Sequence, residues 1–381
     1  MLFIKLLPTP GMGSLITCNC WLGRVFIESL KPQTSIDFIR NIMDVSRLLE
    51  KLISKNDMDS GEATWMMERF MEGDVLPSQM AALLVALRIK GETVTEIAAC
   101  ANVMRQKSTK VDVATEELLD TCGTGGDASG SFNISTTVAL LLAGGRYRIA
   151  KHGNRSMTSK SGSADLLEAL GVNINLTPEQ VGQCINEAGI GFLFAPALHS
   201  AMKNVVPVRK ELAVRTVFNV LGPLTNPAGA PNQIIGLFSP VLVPKIIHVL
   251  KELGARSAYV FSGNDGLDEI SISGPSTVAR LESSGEIKTF EFNPTDFGFK
   301  LADLSDIKGG SAEENAAITR QIFSGEEKGA KRDIVMINAG FAISALKDCE
   351  LKEGFDIARQ LLDEGAGTKA IEKLVSVSHN L

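Results

Sequence analysis

The hydrophobic periodicity of the chain changes at about Val111, and this change limits its possible folds more than any other feature. Between residues 43 and 107 apolar residues recur at helical spacing, and Thr93 with Glu96 forms a capping box that predicts a helix start. After Val111 short apolar runs alternate with helical stretches. Such alternation is typical of a parallel sheet covered by helices. The sequence therefore predicts an α/β fold with a mostly parallel central sheet and a helical N-terminal domain, a small all-α bundle.

Local signals predict the individual elements. Helices are predicted from Met43 with Leu48, Leu49, Leu52 and Ile53 on one face, after Asp59 with Glu62 up to Gly73, from Pro77 to Gly91, after Thr93, from Pro178 to Glu187, across 202–220 and from Pro244 to Leu253. Strands are predicted at Leu118-Leu119, Ile149-Ala150, Phe192-Leu193-Phe194, Ile234-Ile235-Gly236-Leu237, Tyr259-Val260-Phe261 and Ile334-Val335-Met336-Ile337.

The first 42 of the 381 residues fit neither domain. They are apolar but interrupted by Pro8 and Pro10, so they are too broken for a membrane span and lack the pattern of a signal peptide. We expect residues 1–42 to be a disordered extension or the product of a start site assigned too far upstream. The expected domains are then 43–110, with helices from about 200–225 packing on it, and 111–381.

Charge and cysteine usage exclude some classes of protein. Lys plus Arg is 38 and Asp plus Glu is 44, which gives a net charge of −6. An acidic chain is a poor nucleic-acid binder because that binding depends on neutralising phosphates. The six scattered cysteines show no metal-binding spacing and are typical of reduced thiols in a cytoplasmic protein. We expect no nucleic-acid and no membrane partner.

A glycine-rich stretch, DTCGTGGD at residues 120–127, follows a predicted strand. Its glycines leave backbone N–H groups uncovered, so a phosphate can approach the main chain. The spacing Gly123-x-Gly125-x-x-Ala128 also fits a dinucleotide-binding fingerprint, but the acidic residue that such a site needs is absent before Asp165. A purely structural glycine turn remains the other alternative.

Two further segments carry charges suited to a polyphosphate. Residues 128–164 contain no acidic side chain, and the motif KHGNRS at 151–156 offers cationic and hydroxyl donors; a solvated basic loop is the alternative. The motif DGLDE at 265–269 ends in Asp268 and Glu269, which can hold Mg²⁺ or simply be solvated. Arg209 and Arg215, near His199, can form a fork for a carboxylate or lie on an exposed helix face.

Four motifs occur in a fixed order: DTCGTGGD, KHGNRSMTSKSGSADLLEALG, AMKNVVPVRKELAVRTVFNVLGPLTNP and DGLDE. Together they resemble the anthranilate phosphoribosyltransferase family from about Met43 to the C-terminus. The resemblance implies a helical domain and a larger α/β domain with the site between them, and a homodimer through the helical domain. It implies transfer of phosphoribosyl from phosphoribosyl pyrophosphate to anthranilate, with Mg²⁺, in tryptophan biosynthesis.

The resemblance also assigns site residues. The positions implied around phosphoribosyl pyrophosphate are Gly123, Gly126, Asp127, Ser131, Asn133, Ile134, Ser135, Thr136, Lys151, His152, Gly153, Asn154, Arg155, Ser156, Met157, Thr158, Ser159 and Ser163. The Mg²⁺ positions are Ser135, Asp268 and Glu269. Gly123, Asn154 and Arg209 match anthranilate contacts, His152 and His199 line the acceptor path, and Arg209, His152 and Lys151 are the implied catalytic residues.

Two departures concern the acceptor side. Ser200 stands where the family pattern has proline, and Ala213 where it has glycine. Two other functions stay open here: a pyrimidine nucleoside phosphorylase of the same fold, and a non-catalytic relative that binds nucleic acid.

Overall fold

The computed structural model describes residues 45–113, 117–127, 129–156 and 160–381. The predictions for residues 1–42 and for Met157, Thr158 and Ser159 lie outside the described residues. The chain divides into two compact units, Met1–Arg47 and Leu48–Leu381, and the elements discussed below belong to the second, apart from residues 45–47 at the start of the first helix.

The N-terminal part of this unit is helical, as predicted. Helix α1 covers residues 45–53 of the described chain, and it is followed by α2 (Ser60–Glu72), α3 (Pro77–Lys90) and α4 (Val94–Lys107). The capping boxes before α2 and α4 are both present, and α2 ends at Gly73 in the left-handed conformation. In α1 the prediction is partly wrong: Leu48 and Leu52 are buried, but Ile53 is 59% exposed. Five residues advance a helix by about 500°, which turns Ile53 away from the face of Leu48.

The rest of the chain builds one seven-stranded sheet in the order β3-β2-β1-β4-β5-β6-β7. The first five strands of that order are mutually parallel, while β6 and β7 are antiparallel. The strands are β1 (Leu118–Thr121), β2 (Arg148–Gly153), β3 (Ile190–Phe194), β4 (Asn232–Gly236), β5 (Ser257–Gly263), β6 (Ser276–Leu281) and β7 (Ile287–Phe292). The α/β fold class and five of the predicted strands are confirmed.

Eleven further α-helices lie between and after these strands in the described residues. They are α5 (Ile134–Gly144), α6 (Ser163–Ala169), α7 (Pro178–Ala188), α8 (Ala195–Leu198), α9 (Val206–Leu212), α10 (Phe218–Leu221), α11 (Val243–Glu252), α12 (Ala312–Ser324), α13 (Ala330–Lys347), α14 (Leu351–Asp363) and α15 (Ala366–Asn380). The strand predicted at 334–337 is wrong, since this run lies inside α13, where residues 334–345 are all buried. A helix buried on every side shows the same continuous apolar run as a buried strand.

The region predicted as helical at 202–220 is broken into a short 3₁₀ helix (Ser200–Asn204), α9 and α10. It packs against the N-terminal helices: α9 contacts α3, and Asn204 Nδ2 donates a hydrogen bond to the Met71 carbonyl at 2.7 Å. Among the described residues, no helix is both long and apolar enough to cross a membrane.

The strand order places a topological switch point at β1. The chain runs outward from β1 to β2 and β3, then returns to the other side of β1 to form β4 and β5. In open α/β sheets, ligands bind beyond the carboxyl ends of the strands at such a point. The segments that follow β1, β2, β4 and β5 therefore define the place where a site is expected.

Candidate active site

The glycine-rich segment at 122–127 lies directly after β1, at the switch point. Thr124 N donates to the Gly236 carbonyl at the end of β4 (2.9 Å), and Gly125 N donates to Asp268 Oδ2 (2.7 Å). Gly125 and Gly126 have φ values of 65° and 73°. Two successive left-handed residues suit glycine because it has no Cβ. The segment is thus an exposed, uncovered loop fixed at its base to β4 and to the acidic motif.

Helix α5 presents its N-terminus to the same place. Asn133 precedes it and is held on two sides: its Nδ2 donates to the Ser161 carbonyl (3.1 Å), and its Oδ1 accepts from Asn315 Nδ2 (2.9 Å). Thr136 Oγ1 donates to Ser163 Oγ at 3.0 Å. Ile134 N at the start of α5 donates to the Phe132 carbonyl, but the dipole of a helix N-terminus still favours an anion. The loop and α5 together therefore form an edge suited to an anion.

Asp268 and Glu269 meet this edge from the segment after β5. Glu269 is 8% exposed, and its Oε1 accepts a hydrogen bond from Ser135 N at 3.0 Å. Burial, together with the nearby charge of Asp127, raises the pKa of Asp268 to about 7. Burial and the neighbouring Asp268 also raise the pKa of Glu269 well above its ordinary value, whereas Lys151 lowers it.

This acidic cluster fits a divalent cation. Oδ2 of Asp127 is buried and accepts no hydrogen bond from any described residue. The charges of Asp268 and Asp127 both raise the pKa of Glu269, and Lys151 lowers it, so the ionised cluster carries more negative than positive charge among these four described residues. Mg²⁺ prefers oxygen ligands and supplies the missing positive charge. Asp268 and Glu269, with Ser135 adjacent, are the residues suited to hold it.

Lys151 lies beneath the site and does not reach into open solvent. It is 1% exposed, its Nζ donates to the Thr121 carbonyl, and Ser135 Oγ is 3.4 Å away. The neighbouring Asp120 is fully buried and accepts from His152 N (3.1 Å) and Asn226 Nδ2 (2.7 Å). Burial raises the pKa of Asp120 to about 6. Asp120 is a structural brace between the ends of β1 and β2.

The two histidines of the expected acceptor path lie together. The ring centroids of His152 and His199 are 5.2 Å apart. Burial lowers the pKa of His152 to about 3 and that of His199 to about 4. No well-formed hydrogen bond reaches the His152 ring from the described residues, although a weak one to the Gly222 backbone raises its pKa slightly. Both rings are therefore neutral at pH 7.

Possible ligand atoms of Asp120, Cys122 and His152 lie within 4.8 Å of one another. We assign no ion to this group. Both oxygens of Asp120 already accept hydrogen bonds, and burial raises the pKa of the Cys122 thiol to about 12, so it stays protonated.

The basic stretch does not form one anion-binding patch in this structure. Arg155 is exposed and paired with Asp165 (2.9 Å) and Glu168 (2.5 Å). Arg148 donates to the carbonyls of Ile185 and Asn186, at the opposite end of β2. Of the predicted donor-side residues, the structure brings together Gly123, Gly126, Asp127, Asn133, Ile134, Ser135, Thr136, Lys151, His152, Asp268 and Glu269, while Ser131, Gly153, Asn154, Arg155, Ser156 and Ser163 lie in the segments that border them.

The two arginines expected as a fork for a carboxylate have separate partners. Arg209, in α9, lies over the Phe218 ring at 5.4 Å, and burial lowers its pKa. Helix α9 ends at Leu212, so Arg215 is not on it, and its Nη2 donates to the Gly126 carbonyl at 2.8 Å. The expectation of a joint fork is not met, and Arg209 alone remains for a carboxylate.

Sequence reasoning missed Asp120, Asn226 and Asn315 as supports of the site. Asp120 is the first residue of the motif DTCGTGGD, and Asn226 lies near the end of the motif that finishes with LTNP. Their places in these motifs could have indicated a role in the site. Asn315 is 182 residues from Asn133, and only the tertiary fold connects them.

Comparison with known proteins agrees with this geometry. A sequence model of the glycosyl transferase family, a/b domain, matches residues 115–368, and one of its helical bundle domain matches residues 46–108. The anthranilate phosphoribosyltransferase of Symbiobacterium thermophilum is 47% identical over 335 residues, which cover 88% of this chain and 98% of that protein. The chain belongs to the anthranilate phosphoribosyltransferase family.

Solved structures of family members have the same fold. The crystal structure of the Thermus thermophilus enzyme is 44% identical, with a TM-score of 0.82, and the match covers 87% of this chain and 99% of that one. The Saccharomyces cerevisiae enzyme in complex with PRPP (phosphoribosyl pyrophosphate) and Mg is 27% identical, with a TM-score of 0.80 and coverages of 88% and 98%. The yeast enzyme was also solved with 4-fluoroanthranilate. Family membership makes the chain a glycosyltransferase and favours neither of the two alternative functions.

Proposed function

We propose that this protein transfers the phosphoribosyl group of PRPP to the amine of anthranilate, giving N-(5-phosphoribosyl)anthranilate and pyrophosphate. The observation that carries the proposal is the meeting of three segments at one sheet edge: the glycine loop, the N-terminus of α5 and the buried pair Asp268–Glu269. An anion-binding edge beside a cation-binding acid pair suits a polyphosphate that is handled together with a divalent cation.

The difficult step is the departure of pyrophosphate from the anomeric carbon of the ribose. Negative charge builds on the leaving group, and amide donors that are already in place stabilise it without reorganisation. Amides of the loop 123–127 that have no partner among the described residues, such as Gly126 N, the side chains of Asn133, Ser135 and Thr136, and the dipole of α5 serve this role, and Lys151 contributes positive charge from below. Mg²⁺, held by Asp268 and Glu269 next to Ser135, supplies further charge stabilisation when bound.

The acceptor side needs no strong base. The amine of anthranilate is an aniline-type amine and is neutral at pH 7, so it is ready to attack. His152 and His199 are neutral as well, because burial lowers their pKa values. The two histidines line the acceptor path and do not serve as acids. Gly123 and Asn154 border the same path. Arg209 orients the anthranilate carboxylate, since a partly desolvated guanidinium forms a strong charge-assisted pair.

We also propose that the protein is a cytoplasmic homodimer that joins through its helical domain. Leu76 and Ile89 at the two ends of α3 are 63% and 71% exposed, and Val206 on the neighbouring α9 is 37% exposed. These exposed apolar side chains lie on two helices that pack against each other, and a subunit interface in this region would bury them. Sedimentation equilibrium of the protein against a Leu76→Glu, Ile89→Glu variant tests this: a dimer that becomes monomeric supports the interface, and a monomeric wild type contradicts it.

The reaction is tested by mixing the protein with PRPP, Mg²⁺ and anthranilate and following the loss of anthranilate fluorescence. We expect a loss that requires all three components and stops on addition of EDTA. The variant Asp268→Asn, Glu269→Gln should abolish Mg²⁺-dependent turnover, with Asp296→Asn as the control because Asp296 is an exposed carboxylate outside the DGLDE motif. Full activity of the double variant contradicts the metal assignment. A wild-type protein that binds PRPP but does not consume anthranilate contradicts the assignment of anthranilate as the acceptor.

A further inference from the structure

Arg215 has contacts that the proposed mechanism does not use. The residue is exposed, yet its guanidinium carbon lies only 3.8 Å from the centroid of the Phe238 ring, and its Nη2 donates to the Gly126 carbonyl at 2.8 Å. A stacked guanidinium with a hydrogen bond on its edge has little rotational freedom left, so the Gly126 carbonyl is held in one direction.

Phe238 connects this contact to the other anchor of the glycine loop. Its backbone N donates to Thr124 Oγ1 (3.2 Å), and Thr124 N in turn donates to the Gly236 carbonyl (2.9 Å). The loop is therefore clamped at two points: the end of β4 holds Thr124, and Arg215 holds Gly126. Arg215 in turn stacks on Phe238, whose backbone N binds Thr124. Gly125 lies between the two clamps and Gly126 at the second one, and both are glycines in the left-handed conformation, with little intrinsic rigidity.

The clamp also reaches the helical bundle. Arg88, near the end of α3, donates from Nη1 to the backbone carbonyl of Arg215 at 2.8 Å. Ala213 ends α9 in the left-handed conformation (φ 50°), which turns the chain away from the helix axis and towards the loop. A single short segment thus joins the bundle to the phosphate-binding loop.

We propose that Arg215 is a positioning residue for the donor substrate: it holds the Gly126 carbonyl so that the loop amides face the pyrophosphate of PRPP. This inference rests on the proposed function. It separates two arginines of the same motif, because Arg215 acts on the donor through the loop, whereas Arg209 acts on the acceptor carboxylate. Arg88→Ala should weaken the same clamp from a distance and raise the Kd for PRPP by about threefold.

The test is calorimetric binding of PRPP with Mg²⁺ in the absence of an acceptor, followed by steady-state kinetics. Arg215→Ala should raise the Kd and the KM for PRPP by about 10-fold to 100-fold, as expected for loss of a charged hydrogen bond, and change the KM for anthranilate less than twofold. Arg209→Ala is the matched control: it should raise the KM for anthranilate and leave the Kd and KM for PRPP nearly unchanged. Methylguanidinium should restore part of the PRPP affinity of Arg215→Ala, which a merely unfolded variant would not show.

Several outcomes overturn the inference. An unchanged Kd for PRPP in a folded Arg215→Ala protein removes the role, and so does a rise confined to the KM for anthranilate. If Arg215→Ala fails to fold, Arg215→Lys and Phe238→Leu carry the test, because each weakens the stacked contact and keeps most of the volume; an unchanged Kd in both overturns the inference. A wild-type protein that binds no PRPP overturns the proposed function as well, so the two failures are distinguishable.

Discussion

Replacing Asp268 by Asn should make the metal-free protein more stable while removing its activity. Burial and the charge of Asp127 raise the pKa of Asp268 from 3.8 to about 7. A raised pKa means that the group contributes stability below its ordinary pKa and loses this contribution as pH rises through 7. At pH 7 half of the Asp268 carboxyls in the folded protein carry a charge that the fold disfavours. Asparagine has nearly the same shape and can still accept the hydrogen bond from Gly125 N.

The size of the effect follows from the shift. About three pKa units at about 1.4 kcal/mol each give about 4 kcal/mol at pH 7, and the same calculation gives about 2 kcal/mol at pH 5, where most of Asp268 is protonated in the fold. Because Asp268 keeps part of its surface in solvent, these figures are upper bounds. The difference between the two pH values is the more informative quantity, since packing changes caused by the substitution cancel in it.

The assay is urea unfolding of the wild type and Asp268→Asn in EDTA at both pH values, with Asp296→Asn as an exposed matched control that should change the free energy of unfolding by less than about 0.5 kcal/mol. PRPP with Mg²⁺ at about 100 times its Kd should then stabilise the wild type by about 2.7 kcal/mol and the variant hardly at all. A variant that is less stable than the wild type, or a gap that is equal at pH 5 and pH 7, would refute the reasoning.

Three further results are expected. The ring resonances of His152 and His199 should not titrate between pH 5 and 8 in NMR spectra, because burial lowers their pKa values to about 3 and about 4. The same shifts mean that each histidine lowers the free energy of unfolding by about 2 kcal/mol as pH falls from 8 to 5, because only the unfolded chain takes up the proton in this range. A titration midpoint near 6.5 would contradict this prediction. Ala213→Gly should raise the free energy of unfolding by about 1 kcal/mol, because Ala213 ends its helix in the left-handed conformation. A variant that unfolds at a lower denaturant concentration than the wild type would argue against strain at this position. Gly144→Ala should lower the melting temperature by an amount equivalent to at least about 2 kcal/mol, since its Cβ would lie 2.1 Å from the Ala366 carbonyl oxygen; an unchanged melting point would show that α15 yields easily.

Most of the fold could be predicted because caps and apolar runs are local signals. The helices after Asp59 and Thr93 start where their caps predict, and the helix predicted from Pro178 starts at that residue. Strands β6 and β7 were missed because polar residues interrupt their apolar runs: these are buried or half-buried in β6 and mostly exposed in β7, the antiparallel edge strand. The strand predicted at 334–337 shows the converse error, since total burial removes the periodicity that distinguishes a helix from a strand.

The site was predictable to the extent that its chemistry is written in contiguous motifs. The glycine loop and the acid pair were found as motifs, and the fold brings them together although 143 residues separate Gly125 from Asp268. The partners of individual side chains were not predictable. Arg155 is paired with acids on α6, and Arg215 contacts the loop, because these choices depend on which surfaces tertiary packing places opposite each other.

The burial of α5 has a consequence for synthesis of the chain. Residues 136–143 are all buried, so this helix has no face suited to water, and it packs closely against α15, the last helix of the sequence. A nascent chain must therefore keep this apolar helix partly uncovered until the residues of α15 have left the ribosome. Chains that stop before Ala366 should aggregate or be held by chaperones, whereas chains that include α15 should cover the helix.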